Sequence, residues 1–179
     1  MRLRRVAVTG LGLVCSQGNH PLAVFTQWRQ GLGGIASHSL GGQAHTLDMP
    51  YALCADFDPA EKWGRAATST MDRVSLLSLS AASDAWQDAG AAASPSAENA
   101  GVFWGTGAAG AGTVDKAYRD LFLNHRSRIS PLSVVQGMHN AAASHIALRL
   151  ALGGPCFTYS VACASSAIAI GEAFLRIQQ

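Results

Sequence analysis

Cys163 stands at the junction of two patterns. The run Cys156-Phe157-Thr158-Tyr159-Ser160-Val161 alternates as a strand does, and the small and apolar residues from Ala164 to Phe174 read as a buried helix. A cysteine on a strand-to-helix turn lies where backbone N–H groups point outward and the helix dipole is positive. That setting favours a thiolate and can hold an oxyanion. A lone cysteine is by default a small packed hydrophobe; the turn position and the hydroxyls of Ser165 and Ser166 tip the reading toward a nucleophile. Cys156, inside the strand, is expected to be plain packing, and Cys15 and Cys54 carry no context for chemistry.

The other residues that could do chemistry are less persuasive. Gly105-Thr106-Gly107-Ala108-Ala109-Gly110 matches the dinucleotide fingerprint after a strand. The acidic strand end that should follow about twenty residues later is absent: Asn124-His125-Arg126-Ser127-Arg128 stands there instead. These glycines are better read as letting backbone approach a neighbouring segment or a substrate. The histidines at 20, 38, 45, 125, 139 and 145 include no i, i+4 pair of the kind that grips a metal on a helix. A Cys–His pair could still form between distant positions; surface or core histidines are the default. Asp84 and Asp88, one helical turn apart, read as a solvated face.

The elements that must position these residues follow from punctuation and period. Arg5-Val6-Ala7-Val8-Thr9 reads as a first strand closed by Gly10 and Gly12. Asn19 is the expected N-cap of a helix with Pro21 in its first turn and Gly31 past its end. Residues 33–50 read as a surface loop and Leu53 to Phe57 as a short strand. Met71, Val74, Leu77, Ala81, Ala85 and Ala89 mark a helix that ends at Gly90. Ala92 to Asn99 reads as a loop and Gly101 to Thr106 as a core strand. A helix follows over Val114 to Asn124. Another carries the stripe Val135, Met138, Ala142, Ile146 and Leu150, stopped by Gly153-Gly154-Pro155. The order β-α-β-α-β-α-α-β-α favours one α/β domain with a largely parallel sheet.

Composition narrows the function class. The formal net charge is +2 and no Lys/Arg cluster follows the first five residues, so no nucleic-acid partner is expected. Four cysteines without a CxxC pair point to reduced thiols and a cytoplasmic protein rather than a disulfide framework. The basic and apolar N-terminus mimics a signal peptide but is interrupted by Thr9, Gly10 and Gly12. The last helix holds Glu172 and is too short to span a bilayer, so no membrane association is expected.

Several motifs, taken in order, resemble the β-ketoacyl-acyl-carrier-protein synthases. They are Arg5-Val6-Ala7-Val8-Thr9-Gly10-Leu11-Gly12, Met71-Asp72-Arg73, Gly105-Thr106-Gly107, Arg128-Ile129-Ser130-Pro131, Gly153-Gly154-Pro155 and Val161-Ala162-Cys163-Ala164-Ser165-Ser166. Ser130 to Ile177 looks closest to the ketosynthases of bacterial type II pathways, those making aryl polyenes among them. The resemblance implies a thiolase-like fold, of which residues 1–179 make the N-terminal half: a mixed, mostly parallel sheet covered by helices, incomplete after the nucleophile helix.

The implied reaction is decarboxylative Claisen condensation in fatty acid or polyketide biosynthesis. Cys163 would take an acyl group from an acyl-carrier protein and malonyl-carrier protein would extend it. No metal, flavin or nicotinamide is implied. Ala108 is expected to line the acyl pocket where related enzymes carry a branched apolar residue; simple packing is the alternative there. A homodimer, or a heterodimer with another ketosynthase chain, is the implied assembly. The family's histidine and lysine motifs of the second half are not present, so this chain alone is expected to be inactive or severely impaired. The basic cluster that usually precedes the Met-Asp motif is replaced by Ala66-Ala67-Thr68-Ser69-Thr70, with Lys62 and Arg65 nearby. Carrier docking is therefore not expected in its usual form. The competing readings are a non-catalytic assembly subunit that docks on another ketosynthase chain, and a thiolase or acyltransferase on the same fold.

Overall fold

A computed structural model describes residues 3–41, 46–90 and 97–179. Its organising element is helix α4, Arg73–Asp88, and the sequence accounts for both ends of it. Asp72 is the N-cap, with Oδ1 accepting the Val74 N–H at 2.8 Å. Gly90, at φ 67°, carries the chain away at the other end. One face of α4 buries Ser75, Leu76, Leu79 and Ser83. Helix α7, Ala141–Arg149, meets it with Ala142, Ala143 and Ile146. Small residues on both sides let the helix backbones approach closely. Leu79, Val102, Ala143 and Ile146 form the core. Burying Leu79 contributes about 2 kcal/mol, and truncating it to Ala would cost about 3 kcal/mol.

Of the stripe that marks α4, Met71 packs against the core, while Ala81, Ala85 and Ala89 face the N-terminal segment. A Cβ on Gly10 would fall 2.1 Å from the Ala85 carbonyl oxygen, and one on Gly12 would fall 2.0 Å from that of Ala81. The glycines let residues 10–12 lie directly on the helix, where the Leu11 N–H donates to Asp88 Oδ2 at 2.8 Å. Asp88 is thus a tether, and Asp84 is ion-paired with Lys62; neither is merely a solvated face.

The site-bearing sheet is a parallel pair. Strand β3, Val102–Gly105, runs beside β4, Cys156–Tyr159, in the register Val102↔Cys156 to Gly105↔Tyr159. Phe103 and Phe157 sit side by side with ring centroids 5.7 Å apart. Helices α7 and α8, Ser165–Gln178, both pack on this pair. The parallel pair and its crossover helices meet the expected α/β class.

Several expectations need correction. Much of the expected surface loop over residues 33–50 is strand: β1, Ile35–Gly41, pairs antiparallel with β2, Thr46–Ala52, as a separate two-stranded sheet. The alternation of Leu47, Met49 and Tyr51 supports pairing despite Pro50, because a two-stranded ribbon consists only of edge strands, where proline is tolerated. Leu53 to Phe57 forms no strand. Arg5 to Thr9 is not part of a strand among the described residues either. Among the described residues β3 pairs on one edge only, and an apolar groove lined by Val8, Thr9, Trp86, Phe103, Trp104 and Leu150 separates the N-terminal segment from it. Strand-like composition needs a hydrogen-bonded partner before it becomes a strand.

Helix α1, Pro21–Arg29, is preceded by His20 rather than Asn19 at its N-cap, so it starts one residue late and without a side-chain cap. The helix expected over Val114 to Asn124 starts earlier, as α5, Ala111–Tyr118, and continues as a π turn over Arg119–Leu123. The stripe from Val135 to Leu150 is divided between α6, Leu132–Gly137, and α7. Two short helices, α2, Pro59–Trp63, and α3, Arg65–Thr68, precede α4. The loop expected over Ala92 to Asn99 lies mostly outside the described residues; Ala97–Asn99 is a 3-10 turn. Among the described residues no helix is long and apolar enough to cross a membrane.

Candidate active site

Two strand-to-helix turns leave the parallel pair side by side, and they bring together the two residues expected to matter. The chain exits β4 through a 3-10 turn, Ala162–Ala164, and enters α8 at Ser165. Ala162 has φ 51°, in the left-handed region that an L-residue with a Cβ avoids. The turn therefore makes a sharp elbow and presents Cys163 at its outside, exposed. Residue 164 has no side-chain cap over α8, so the first N–H groups of that helix are not covered by a carboxylate or hydroxyl of their own cap.

The elbow is held by Ser165, which is 2 % exposed. Its hydroxyl accepts the Val161 N–H at 2.8 Å and lies 2.7 Å from the Ala162 carbonyl and 3.1 Å from that of Thr106.

The second turn follows β3. The Thr106 hydroxyl accepts the Ala109 N–H at 3.2 Å, and Ala109 has φ 49°. Of the three glycines of this turn, Gly105 and Gly110 serve close approach, whereas a Cβ on Gly107 would make an ordinary contact. A Cβ on Gly105 would lie 2.4 Å from the Ser165 carbonyl carbon and 2.5 Å from the Ser166 nitrogen. One on Gly107 would reach Ala162 at 3.8 Å, and one on Gly110 would lie 2.2 Å from the Gln136 carbonyl oxygen in α6. β3 thus ends flush against the start of α8, and the loop carrying Ala108, which is exposed, runs beside the cysteine elbow.

Asp72 is the residue that sequence reading undervalued. It is buried, and besides capping α4 its Oδ2 accepts the Thr113 N–H at 3.1 Å and the Thr113 hydroxyl. One carboxylate therefore caps α4 and the first turn of α5. The Ala108 loop is pinned at its far end by this bond. The signal available was the Asp before an apolar run; its partner lies 41 residues away.

The remaining candidates do not converge on the elbow. Cys156 is exposed on the edge strand rather than packed in it, and partial burial of its thiol pushes its pKa up, which makes it a poor nucleophile. Among the described residues β4 has a strand neighbour on one side only, which leaves Cys156 uncovered. Cys15 and Cys54 line a separate polar pocket with Asp56, Asp58 and Lys62. His38 packs against Tyr51 in the ribbon, ring centroids 4.5 Å apart and the planes tilted by 47°. His139 lies exposed between α6 and α7, and His145 is half-buried on α7, where burial lowers its pKa. His45 lies outside the described residues. Among the described residues no group of three or more His, Cys, Asp or Glu side chains is placed to hold a metal ion.

The basic residues near the Met-Asp motif are partly committed: Lys62 is ion-paired with Asp84 and, with Arg149 at 4.8 Å, brackets the Trp63 ring.

Comparison with known proteins places this geometry. Residues 3–179 match the family model described as β-ketoacyl synthase, N-terminal domain. Nodulation protein E of Rhizobium sp. (strain N33) is 32 % identical over 179 residues, covering 98 % of this chain and 44 % of that protein. A 3-oxoacyl-[acyl-carrier-protein] synthase 2 of Synechocystis sp. is 31 % identical over 180 residues, covering 98 % of this chain and 42 % of that protein.

Among solved structures, a β-ketoacyl synthase from Burkholderia phymatum STM815 superposes with a TM-score of 0.78 at 26 % identity, covering 99 % of this chain and 44 % of that one. The ishigamide ketosynthase/chain length factor gives 0.76 at 26 % identity, covering 94 % of this chain and 47 % of that one. The fold is that of the thiolase-like ketosynthases, and the chain spans less than half the length of the relatives it matches. With its elbow cysteine and its glycine-crowded parallel pair, the chain belongs to the β-ketoacyl synthase family and corresponds to that family's N-terminal domain.

Proposed function

We propose that residues 1–179 form one domain of a β-ketoacyl-acyl-carrier-protein synthase and that Cys163 is its acyl acceptor. The observation that carries this reading is the exposed cysteine on a left-handed elbow, immediately before a helix whose N-terminus has no side-chain cap. The Cys163 thiolate attacks the carbonyl of an acyl thioester on a carrier protein, the C–S bond to the carrier breaks, and the carrier thiol leaves. Negative charge on the carbonyl oxygen is met by the backbone N–H of Cys163. Malonyl-carrier protein then loses carbon dioxide, its C2 carbanion attacks the enzyme thioester, and the Cys163 thiolate departs. The product is a 3-oxoacyl chain two carbons longer. Splitting the transfer through a thioester divides one hard step into two easier ones.

The substrates are acyl chains of fatty acid or polyketide biosynthesis, aryl polyenes among them, and the compartment is the cytoplasm. The partners are an acyl-carrier protein and a second ketosynthase chain, as a homodimer or heterodimer. The likeness to a ketosynthase/chain length factor favours a second reading, in which the chain is an assembly subunit on another ketosynthase chain. Supplying the full protein with acyl- and malonyl-carrier protein tests the two. A 3-oxoacyl product that disappears in Cys163→Ala supports the enzyme. Stable association with a ketosynthase chain, with no product and no acyl uptake, supports the assembly subunit.

Ala108 is proposed to set chain length from its loop beside the elbow. Ala108→Ile adds three carbons of side chain and should shorten the longest acyl group accepted, read as product length by mass spectrometry; an unchanged product distribution would leave Ala108 a packing residue.

A further inference from the structure

We propose that Ser165 is a positioning residue for Cys163, resting on the reading of Cys163 as acyl acceptor. A serine hydroxyl has one proton and two lone pairs. Here one lone pair takes the Val161 N–H at 2.8 Å, and the proton is shared in turn between the carbonyls of Ala162 at 2.7 Å and Thr106 at 3.1 Å. The hydroxyl is buried, so water does not compete for these partners.

The three partners are the exit of β4, the residue just before the cysteine, and the end of β3. One side chain therefore ties both strand ends to the elbow. The elbow needs tying: Ala162 holds φ 51°, a conformation its Cβ disfavours, and the turn's own backbone closure is two short-range bonds, from the Ala164 N–H to the Val161 carbonyl at 3.2 Å and from the Ser165 N–H to the Ala162 carbonyl. If Ala162 relaxed to a right-handed or extended conformation, Cys163 would swing with it, away from the N–H groups at the start of α8. The bare backbone of Gly105 against Ser165 and Ser166 braces the same residue from behind. Ser165 thus sets where the sulfur points, without touching the reacting atoms.

The test compares Ser165→Ala, Ser165→Thr and the pair Ser165→Ala with Ala162→Gly in the full chain. The probe is an acyl-N-acetylcysteamine thioester, with acylation of Cys163 followed by peptide mapping. Amide hydrogen exchange at Val161 is measured alongside. Ser165→Ala should speed Val161 exchange and slow acylation by about tenfold each, with the overall melting transition retained. Ser165→Thr should restore both. Ala162→Gly in the Ser165→Ala background should recover part of the acylation rate, because glycine holds a left-handed φ without strain; a purely structural serine would give no such recovery. Faster Val161 exchange with unchanged acylation overturns the proposal. A wild-type chain that takes up no acyl group removes the acyl-acceptor reading instead. The clamp is then judged by exchange alone, and an unchanged Val161 amide overturns it too.

Discussion

The turns after β3 and β4 are built alike and end differently. Each leaves a parallel strand, each places an alanine at positive φ (Ala109 at 49°, Ala162 at 51°), and each is closed by a hydroxyl, from Thr106 or Ser165. After β3 the chain enters α5, whose first turn is already filled: the Asp72 carboxylate accepts the Thr113 N–H and hydroxyl. After β4 it enters α8, which has no side-chain cap, and the residue before its start is flanked by an exposed cysteine. With Cys163 as the proposed acyl acceptor, the difference separates a structural turn from a chemical one. A helix start that carries its own anion is finished; one left open next to a thiol can receive the oxyanion of a reacting carbonyl.

The sharpest way to break this pairing is to force the two turns apart. Gly105→Ala would place a methyl 2.4 Å from the Ser165 backbone. We expect a loss of about 3 kcal/mol, read by urea unfolding, and a Cys163 elbow displaced with it. A stability change within the error of the measurement would show that the turns are not mutually braced.

Removing the anion from the finished turn comes next. Asp72→Ala deletes the α4 cap and the Thr113 bonds together and should cost about 2 kcal/mol. Asp72→Asn should cost less, because an amide oxygen can still accept the Val74 N–H. Equal losses for the two variants would mean that the bond to α5 carries the whole effect.

The smallest effect concerns α7, which braces the pair from behind. Burial holds the His145 imidazole below its ordinary value of 6.5, so the folded chain binds this proton less readily than the unfolded chain. Its contribution to stability is complete above pH 6.5 and is lost as pH falls through the lowered value. The melting temperature should drop between pH 7 and pH 5, and His145→Gln should flatten that drop. An unaltered slope in the variant would assign the dependence to other groups.

What could be read from the residues follows the range of the interactions. Helix α4, with Asp72 before it and Gly90 after it, is a local pattern, as are β3, β4 and the elbow itself. The purpose of Gly105 and Gly110 was legible as close approach, though not the segments they approach. The ribbon of β1 and β2 was missed because its Gly-, Ser- and His-rich first strand shows little alternation until its partner is known. Arg5 to Thr9 is the opposite case, with strand residues but no paired edge among the described residues. The division between α6 and α7 escaped because the apolar stripe runs through Met138 unbroken, and periodicity does not register a pause in the backbone. Asp72 with Thr113, and Ser165 with Thr106, join residues 41 and 59 positions apart, beyond anything spacing reveals.

The central claim is that the open turn is the chemical one. Its most direct test is intact-protein and peptide mass spectrometry after the full chain is incubated with an acyl-N-acetylcysteamine thioester. The account predicts one acyl group per chain, on Cys163, and none on Cys15, Cys54 or Cys156. It also predicts that Cys163→Ala abolishes the adduct while the melting transition is retained. Acylation spread over the four cysteines, or an adduct that survives Cys163→Ala, would contradict it.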